Sequence, residues 1–141
     1  MTMKRLSGFV RAKRTFSTVT TFTPDYAFEM ASSTVRFGRG VTKEVGQDLL
    51  ALGLSKNVCV FTDPYMATLP PMKAVLDSLT KHKIGYDVFD SVAVEPTDAS
   101  LQVAIAHCKA KNYDGFIAVG GGSVMDTAKA ANVYMCNPNN D

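Results

Sequence analysis

Four apolar residues run directly into a glycine-rich turn in the segment FIAVGGGS, residues 116–123. An unbroken apolar run of this length is typical of a strand that is covered on both faces. A helical pattern follows the turn, with Val124, Ala128 and Ala131 at helical spacing. Strand, glycine turn and helix in this order form the repeating unit of α/β proteins, so the segment predicts a buried strand of an open sheet.

The same alternation extends toward the N-terminus. Apolar or alternating segments predict strands, and segments with helical periodicity follow each of them. Regular alternation implies right-handed crossovers, and hence a Rossmann-like α/β fold whose mostly parallel sheet carries helices on both faces. Ligands in such sheets bind at the carboxyl ends of the strands. The predicted strands are 34–40, 58–62, 84–89 and 116–119, and the predicted helices are 41–52, 70–81, 97–108 and a last one after residue 123.

Charge separates a leader from the body of the chain. The 141 residues carry a net charge of +2, but residues 1–24 contain five basic residues and no acidic one. Residues 25–141 are therefore net negative and offer no basic surface for nucleic acid. The longest apolar runs are too short to cross a membrane. We expect one nucleotide-binding α/β domain over 25–141, with neither nucleic acid nor membrane as a partner.

The leader has the composition of a mitochondrial import signal. Wound as a helix, residues 3–10 place Met3, Leu6 and Phe9 on one side, with basic residues largely opposite. An apolar face and positive charge without acids suit import into the matrix, whereas basic residues interrupt every candidate secretory core. Residues 14–17, RTFS, also fit a cleavage site. The alternative is a disordered basic tail.

Metal and disulfide chemistry are not indicated. Cys59, Cys108 and Cys136 are far apart, and an odd number of cysteines without a secretory signal argues against a disulfide framework. Cys59 lies in an apolar strand and is expected to be a small buried side chain. His82 and His107 are isolated, so no metal site is predicted within this chain.

The glycine turn is the strongest chemical signal. Glycines allow a ligand to approach the backbone, and the helix N-terminus that follows offers unpaired N–H groups to phosphate. The spacing matches neither the usual dinucleotide fingerprint nor a P-loop. Two structural alternatives remain: the glycines serve close packing, or Ser123 and Asp126 form a capping box. Asp63, after the second apolar strand, either binds the ribose of a nucleotide or begins a turn at Pro64.

Residues 119–129, VGGGSVMDTAK, resemble the GGGSxxDxAK segment of the iron-containing alcohol dehydrogenase family. Segments 37–40 and 89–92 occupy the places that this family expects. The resemblance implies that Asp63 binds the adenosine ribose of NAD, that Gly121, Gly122 and Ser123 bind its pyrophosphate, and that Asp126 lies near the nicotinamide. Many members have Asn where this chain has Glu95, and Glu95 is left out of the predicted site because its charge would repel the pyrophosphate.

The resemblance also implies an activity. Segments 25–31, 41–46, 94–98 and 129–132 resemble one branch of this family. That resemblance implies hydride transfer from 4-hydroxybutyrate to 2-oxoglutarate through bound NAD, with small hydroxy and oxo acids as partners. Family members bind iron through a second, helical domain, so the chain is expected to be an N-terminal fragment that is inactive alone; a homo-oligomer is left open. The alternatives are a simple NAD-dependent alcohol dehydrogenase, a dehydroquinate synthase-like lyase and a non-catalytic nucleotide-binding module.

Overall fold

The computed structural model describes residues 27–30 and 35–137. The predicted leader, residues 1–24, lies outside this range. The strands and α-helices of the described residues follow in chain order. They are β1 (Ala27–Met30), β2 (Val35–Gly38), α1 (Val45–Ala51), β3 (Asn57–Thr62), α2 (Pro70–Lys81), β4 (Gly85–Phe89), α3 (Asp98–Lys109), β5 (Gly115–Val119) and α4 (Gly122–Cys136).

A parallel sheet of three strands, in the order β4-β3-β5, forms the centre of the described fold. Its central strand β3 is buried from Val58 to Thr62, because helices cover both of its faces. Cys59 and Phe61 pack with side chains of α3 and α4 on one face, whereas Val58 and Val60 pack with α1 and α2 on the other. The predicted doubly covered, Rossmann-like α/β sheet is therefore confirmed.

The two helices that flank β4 begin where the sequence predicts. Two prolines open α2, where their fixed φ and missing N–H are tolerated, and Met72, Val75 and Leu79 turn inward. Thr97 caps α3: its side chain accepts a hydrogen bond from the N–H of Ser100, whose hydroxyl in turn accepts one from the N–H of Thr97. These local signals fix the helix starts because the prolines lack the N–H groups that a first turn leaves unpaired, and the Thr97 side chain satisfies one such group.

The N-terminal part differs from its prediction in two ways. The segment predicted as a strand at 34–40 does not join the parallel sheet; its β2 pairs antiparallel with β1, which the sequence analysis did not predict as a strand. The predicted helix 41–52 is divided into a 3-10 turn, Val41–Glu44, and α1. The hydroxyl of Ser78 donates to the carbonyl of Lys43 at 2.7 Å and accepts from the N–H of Gly46 at 3.1 Å, so α2 satisfies groups that a continuous helix would pair internally.

Asp114 joins the beginnings of β3 and β5. Its carboxylate accepts hydrogen bonds from the backbone N–H groups of Ser55, Lys56 and Asn57, at 2.9 to 3.1 Å. Burial by itself would raise the pKa of Asp114, but the N–H groups together outweigh it and hold the pKa below its usual value. The amino ends of the two strands are thereby fixed side by side.

Cys59 is a fully buried side chain, as predicted. It packs against Cys108, and the contact between the two thiols, together with burial, raises the pKa of the Cys59 thiol. Because the thiolate is the nucleophilic form, Cys59 is a core residue rather than a reactive group.

Candidate cofactor site

The carboxyl ends of the three parallel strands are tied to one another. The buried hydroxyl of Thr62, the last residue of β3, donates to the carbonyl of Val119, the last residue of β5, at 2.9 Å. The carbonyl of Thr62 accepts from the N–H of Val92, in the loop after β4, at 3.3 Å. The segments that follow β3, β4 and β5 are thereby brought together at one edge of the sheet, where ligands bind in folds of this kind.

Different structural requirements explain why glycine occupies each of the three positions after β5. A Cβ on Gly120 would lie 2.6 Å from Cγ2 of Val124, so this glycine lets α4 pack closely against the end of β5. A Cβ on Gly121 or Gly122 would meet nothing within 4 Å. Close packing therefore explains Gly120 but not the next two glycines, whose backbone is left accessible to a ligand.

The N-terminus of α4 carries unpaired donors. Gly121 is its N-cap, no side chain caps it, and the N–H of Met125 makes the first intrahelical hydrogen bond, to the carbonyl of Gly121 at 3.1 Å. The preceding N–H groups of Gly122, Ser123 and Val124 have no intrahelical acceptor, and the helix dipole adds positive charge at this point. The helix begins one residue before Ser123, so the capping box of Ser123 and Asp126 that the sequence allows does not form.

Ser123 connects the glycine turn to the loop after β4. Its Oγ accepts a hydrogen bond from the backbone N–H of Glu95 at 3.3 Å. The Oγ makes no other hydrogen bond within the described residues, so the hydroxyl proton is available to an acceptor such as a phosphate oxygen.

Asp63 has the turn role that the sequence allowed. Its Oδ1 accepts from the N–H groups of Tyr65 and Met66, at 3.0 and 2.8 Å. Oδ2 makes no hydrogen bond to any residue that the structure describes. One carboxylate oxygen thus fixes the turn after β3, and the other is available as an acceptor for a hydroxyl group.

Four of the five predicted site residues line one cavity of about 130 Å³. This volume is below the usual range for a pocket that encloses a small molecule, so it fits part of a dinucleotide rather than the whole. Asp126 is not among the lining residues: its side chain is 71% exposed and lies 3.8 Å from Lys129. The lining residues are Asp63, Val92, Ala93, Val94, Gly121, Gly122, Ser123 and Val124.

The loop after β4 contributes site residues that were not predicted; of this loop, only Glu95 was weighed as a site residue, and it was left out. Val92, Ala93 and Val94 line the cavity, and the N–H of Glu95 binds Ser123. Parallel topology could have indicated this loop, because it follows a strand whose carboxyl end meets the same edge of the sheet. The contact itself joins residues 28 positions apart and has no local sequence signal.

Larger cavities lie elsewhere. One of about 510 Å³ lies at the amino end of β5, beside Asn112 and Asp114, and one of about 420 Å³ lies along β5 and reaches Gly120. Neither includes Gly121, Gly122 or Ser123. We favour the smaller cavity because it alone among these three combines the glycine turn, the N-terminus of α4 and Asp63.

The described residues contain no group of three or more His, Cys, Asp or Glu side chains that could hold a metal ion. The residues present therefore do not fit an iron site, and no chemical step is assigned to a metal here. Within residues 27–30 and 35–137, no helix has the length and apolar character needed to span a membrane.

The sequence of this chain is similar to those of known proteins. The sequence model of the iron-containing alcohol dehydrogenase family matches residues 32–141, and the chain belongs to this family. The names of individual relatives are more specific than the family description. The chain is 55% identical to rat and 52% identical to human proteins named "Hydroxyacid-oxoacid transhydrogenase, mitochondrial", in each case over 119 residues, which are 84% of this chain and 25% of the relative.

Solved structures support the same family. NADH-dependent butanol dehydrogenase A from Thermotoga maritima is 29% identical, with a TM-score of 0.61 over 67% of this chain and 24% of that one. An alcohol dehydrogenase from Oenococcus oeni is also 29% identical, with a TM-score of 0.63 over 72% of this chain and 27% of that one. The chain spans about a quarter of the length of these relatives.

Proposed function

We propose that this chain forms the NAD-binding part of an oxidoreductase of the transhydrogenase type. The observation that carries the proposal is the open backbone at Gly121 and Gly122, beside the uncapped N-terminus of α4. Packing does not explain these two glycines, whereas a pyrophosphate lying against the backbone does. The family membership and the relatives' names support an oxidoreductase, and the name of one solved relative, an NADH-dependent butanol dehydrogenase, supports a nicotinamide ligand.

The arrangement suggests an orientation for the dinucleotide. Asp63 accepts hydrogen bonds from the adenosine ribose through Oδ2, while Gly121, Gly122 and Ser123 donate to the pyrophosphate. Asp126, one turn into α4 with an exposed carboxylate, is assigned to the nicotinamide side of an extended cofactor. When bound, the nicotinamide supplies acceptance and donation of hydride; the residues of this chain hold and orient it.

For the enzyme of the relatives' full length, we propose oxidation of 4-hydroxybutyrate to succinate semialdehyde coupled to reduction of 2-oxoglutarate to 2-hydroxyglutarate. Hydride leaves C4 of the first substrate and reaches C2 of the second through one bound nicotinamide, so no net oxidant is needed. Deuterium at C4 should then appear at C2 of the product even with excess unlabelled NADH. Dilution of the label into the free pool would indicate an ordinary alcohol dehydrogenase.

Binding of NAD is directly testable. Calorimetric titration of the 141-residue chain with NAD+ and with ADP-ribose should give similar affinities, because the proposed contacts involve the adenosine ribose and the pyrophosphate. Ser123→Ala should weaken both, since it removes a donor to phosphate, whereas Ser91→Ala is a control on an exposed serine outside the cavity. Failure of the wild-type chain to bind either ligand would contradict the proposal.

We also propose import into the mitochondrial matrix with removal of the basic leader, residues 1–24. The relatives named mitochondrial support the compartment, and the acid-free leader supports the route. N-terminal sequencing of protein recovered from mitochondria should show a new terminus after cleavage within about residues 14–24. A mature protein that begins at Met1 would contradict cleavage.

A further inference from the structure

Glu95 lies against the glycine turn although its side chain does not line the cavity. Its backbone N–H donates to the hydroxyl of Ser123 at 3.3 Å, and its φ of 55° is in the left-handed region that residues other than glycine rarely occupy. A bulky charged residue is thus held in an unusual conformation beside a candidate anion site, a combination that points to function.

Covalent geometry limits how far the Glu95 carboxylate can be from Ser123. A fully extended glutamate side chain places its carboxylate oxygens at most about 6 Å from its own backbone nitrogen. The nitrogen is 3.3 Å from the Ser123 Oγ, so the carboxylate lies within about 9 Å of that hydroxyl in every rotamer. This distance is close to the Debye length of about 8 Å at physiological ionic strength, so a phosphate at Ser123 experiences the charge.

No basic side chain offsets this charge at the cavity. Its lining, among the described residues, contains Asp63 and neither Lys nor Arg. Lys129, further along α4, lies beside Asp126 at 3.8 Å. A bound phosphate is therefore stabilised by backbone N–H groups, the Ser123 hydroxyl and the helix dipole. It is opposed by the carboxylate of Asp63 in the lining and by that of Glu95, which lies within about 9 Å of Ser123.

We propose that Glu95 is a specificity-determining residue that favours ligands with an internal pyrophosphate over nucleotides with a terminal phosphate. This inference rests on the proposed function of the site. A pyrophosphate inside a dinucleotide carries about two negative charges, whereas the phosphates of ADP carry about three and those of ATP about four near neutral pH. Repulsion by Glu95 grows with each added charge, so the site discriminates against nucleoside diphosphates and triphosphates while N–H groups still bind the dinucleotide.

The test compares affinities for NAD+, ADP and ATP in the 141-residue chain, with EDTA present and at low ionic strength. The variants are Glu95→Gln and Glu95→Lys, and Asp77→Asn is a matched control that removes one exposed carboxylate on α2, away from the cavity. Two extra charges at about 9 Å in water give roughly a threefold change in relative affinity. The ratio of the ATP Kd to the NAD+ Kd should fall about threefold in Glu95→Gln, fall further in Glu95→Lys, and stay unchanged in Asp77→Asn.

High salt should abolish the difference between wild type and Glu95→Gln, because the effect is electrostatic. A ratio that is the same in wild type and both Glu95 variants, while all of them bind NAD+, would overturn the role of Glu95 and leave the proposed function standing. A wild-type chain that binds none of the three nucleotides would instead contradict the proposed function itself. Circular dichroism of each variant confirms that the fold is retained.

Discussion

Replacement of Gly121 by alanine is expected to weaken NAD+ binding without loss of stability, whereas the same change at Gly120 should destabilise the fold. The two residues are adjacent and chemically identical, yet their surroundings differ. A methyl group at position 121 would extend into open space, while one at position 120 would lie 2.6 Å from Cγ2 of Val124. The pair therefore separates a glycine that serves a ligand from a glycine that serves packing.

The magnitudes follow from these surroundings. Overpacking of a side chain such as Val124 costs about 1–3 kcal/mol, which lowers Tm by about 3–10 °C in a domain of this size. Gly121 has φ −85° and ψ −164°, which alanine adopts without strain. Its replacement reduces the entropy of the unfolded chain, which stabilises the fold by about 0.4–1 kcal/mol, but alanine is a poorer N-cap than glycine by a similar amount. The free energy of unfolding should therefore change little. Alanine keeps the backbone N–H, but its methyl group would occupy the open space assigned to the pyrophosphate. Displacement of the pyrophosphate from one N–H donor costs a charge-assisted hydrogen bond, about 1.5–3 kcal/mol, which corresponds to an increase in Kd of roughly 10- to 150-fold.

Two measurements on each variant decide the matter: urea unfolding at equilibrium and calorimetric titration with NAD+. Binding of NAD+ by Gly121→Ala as tight as that of wild type would show that the turn does not contact the cofactor. Destabilisation of Gly121→Ala as large as that of Gly120→Ala would show that the glycine turn serves packing throughout.

Three further perturbations test other parts of the account. Asp63→Asn keeps an acceptor for the turn but removes the charge that would repel a 2′-phosphate, so the ratio of the NADP+ Kd to the NAD+ Kd should fall about tenfold; an unchanged ratio would remove Asp63 from the site. Thr62→Val removes the hydroxyl that donates to the half-buried carbonyl of Val119 and should lower the free energy of unfolding, measured in urea, by about 1–2 kcal/mol; no loss would show that the strand ends do not depend on this bond. Asp114 has a lowered pKa in the folded state, so its contribution to stability is present above about pH 4 and is lost as pH falls through the folded pKa. Asp114→Asn should therefore have a smaller free energy of unfolding at pH 7, and that free energy should fall less steeply below about pH 4. Parallel curves of stability against pH for wild type and variant would contradict this.

The sheet with helices on both faces could be predicted because the signals for its strands and helices lie within short segments of sequence. β3 and β5 are apolar runs that end at turn residues, and the prolines of α2 and the Thr97 cap of α3 mark helix starts within a few residues. The N-terminal region was less predictable for the opposite reason. The break before α1 depends on Ser78, which is 35 positions from Lys43, and the β1–β2 pairing depends on a register that no turn motif specifies.

Most residues of the candidate site could be predicted from the sequence, but the structural role of each residue could not. Sequence alone left the three glycines equivalent, because the position of the Val124 side chain against Gly120 follows from how α4 packs on the sheet. It also left Asp63 between a turn and a ribose contact, and the structure shows the turn while leaving the second oxygen available. Glu95 was set aside on charge, yet its backbone reaches Ser123 through a contact that only the fold creates.

A titration of the 15N-labelled chain with NAD+, followed by NMR, would show directly whether the glycine turn binds the cofactor. The largest amide shifts should occur at Gly121, Gly122 and Ser123, with smaller shifts at Tyr65 and Met66, whose N–H groups bind Asp63. Amides of β1 and β2 should not shift. Absence of any change at saturating NAD+, or shifts centred on the cavity beside Asn112 and Asp114 at the opposite end of β5, would contradict the account.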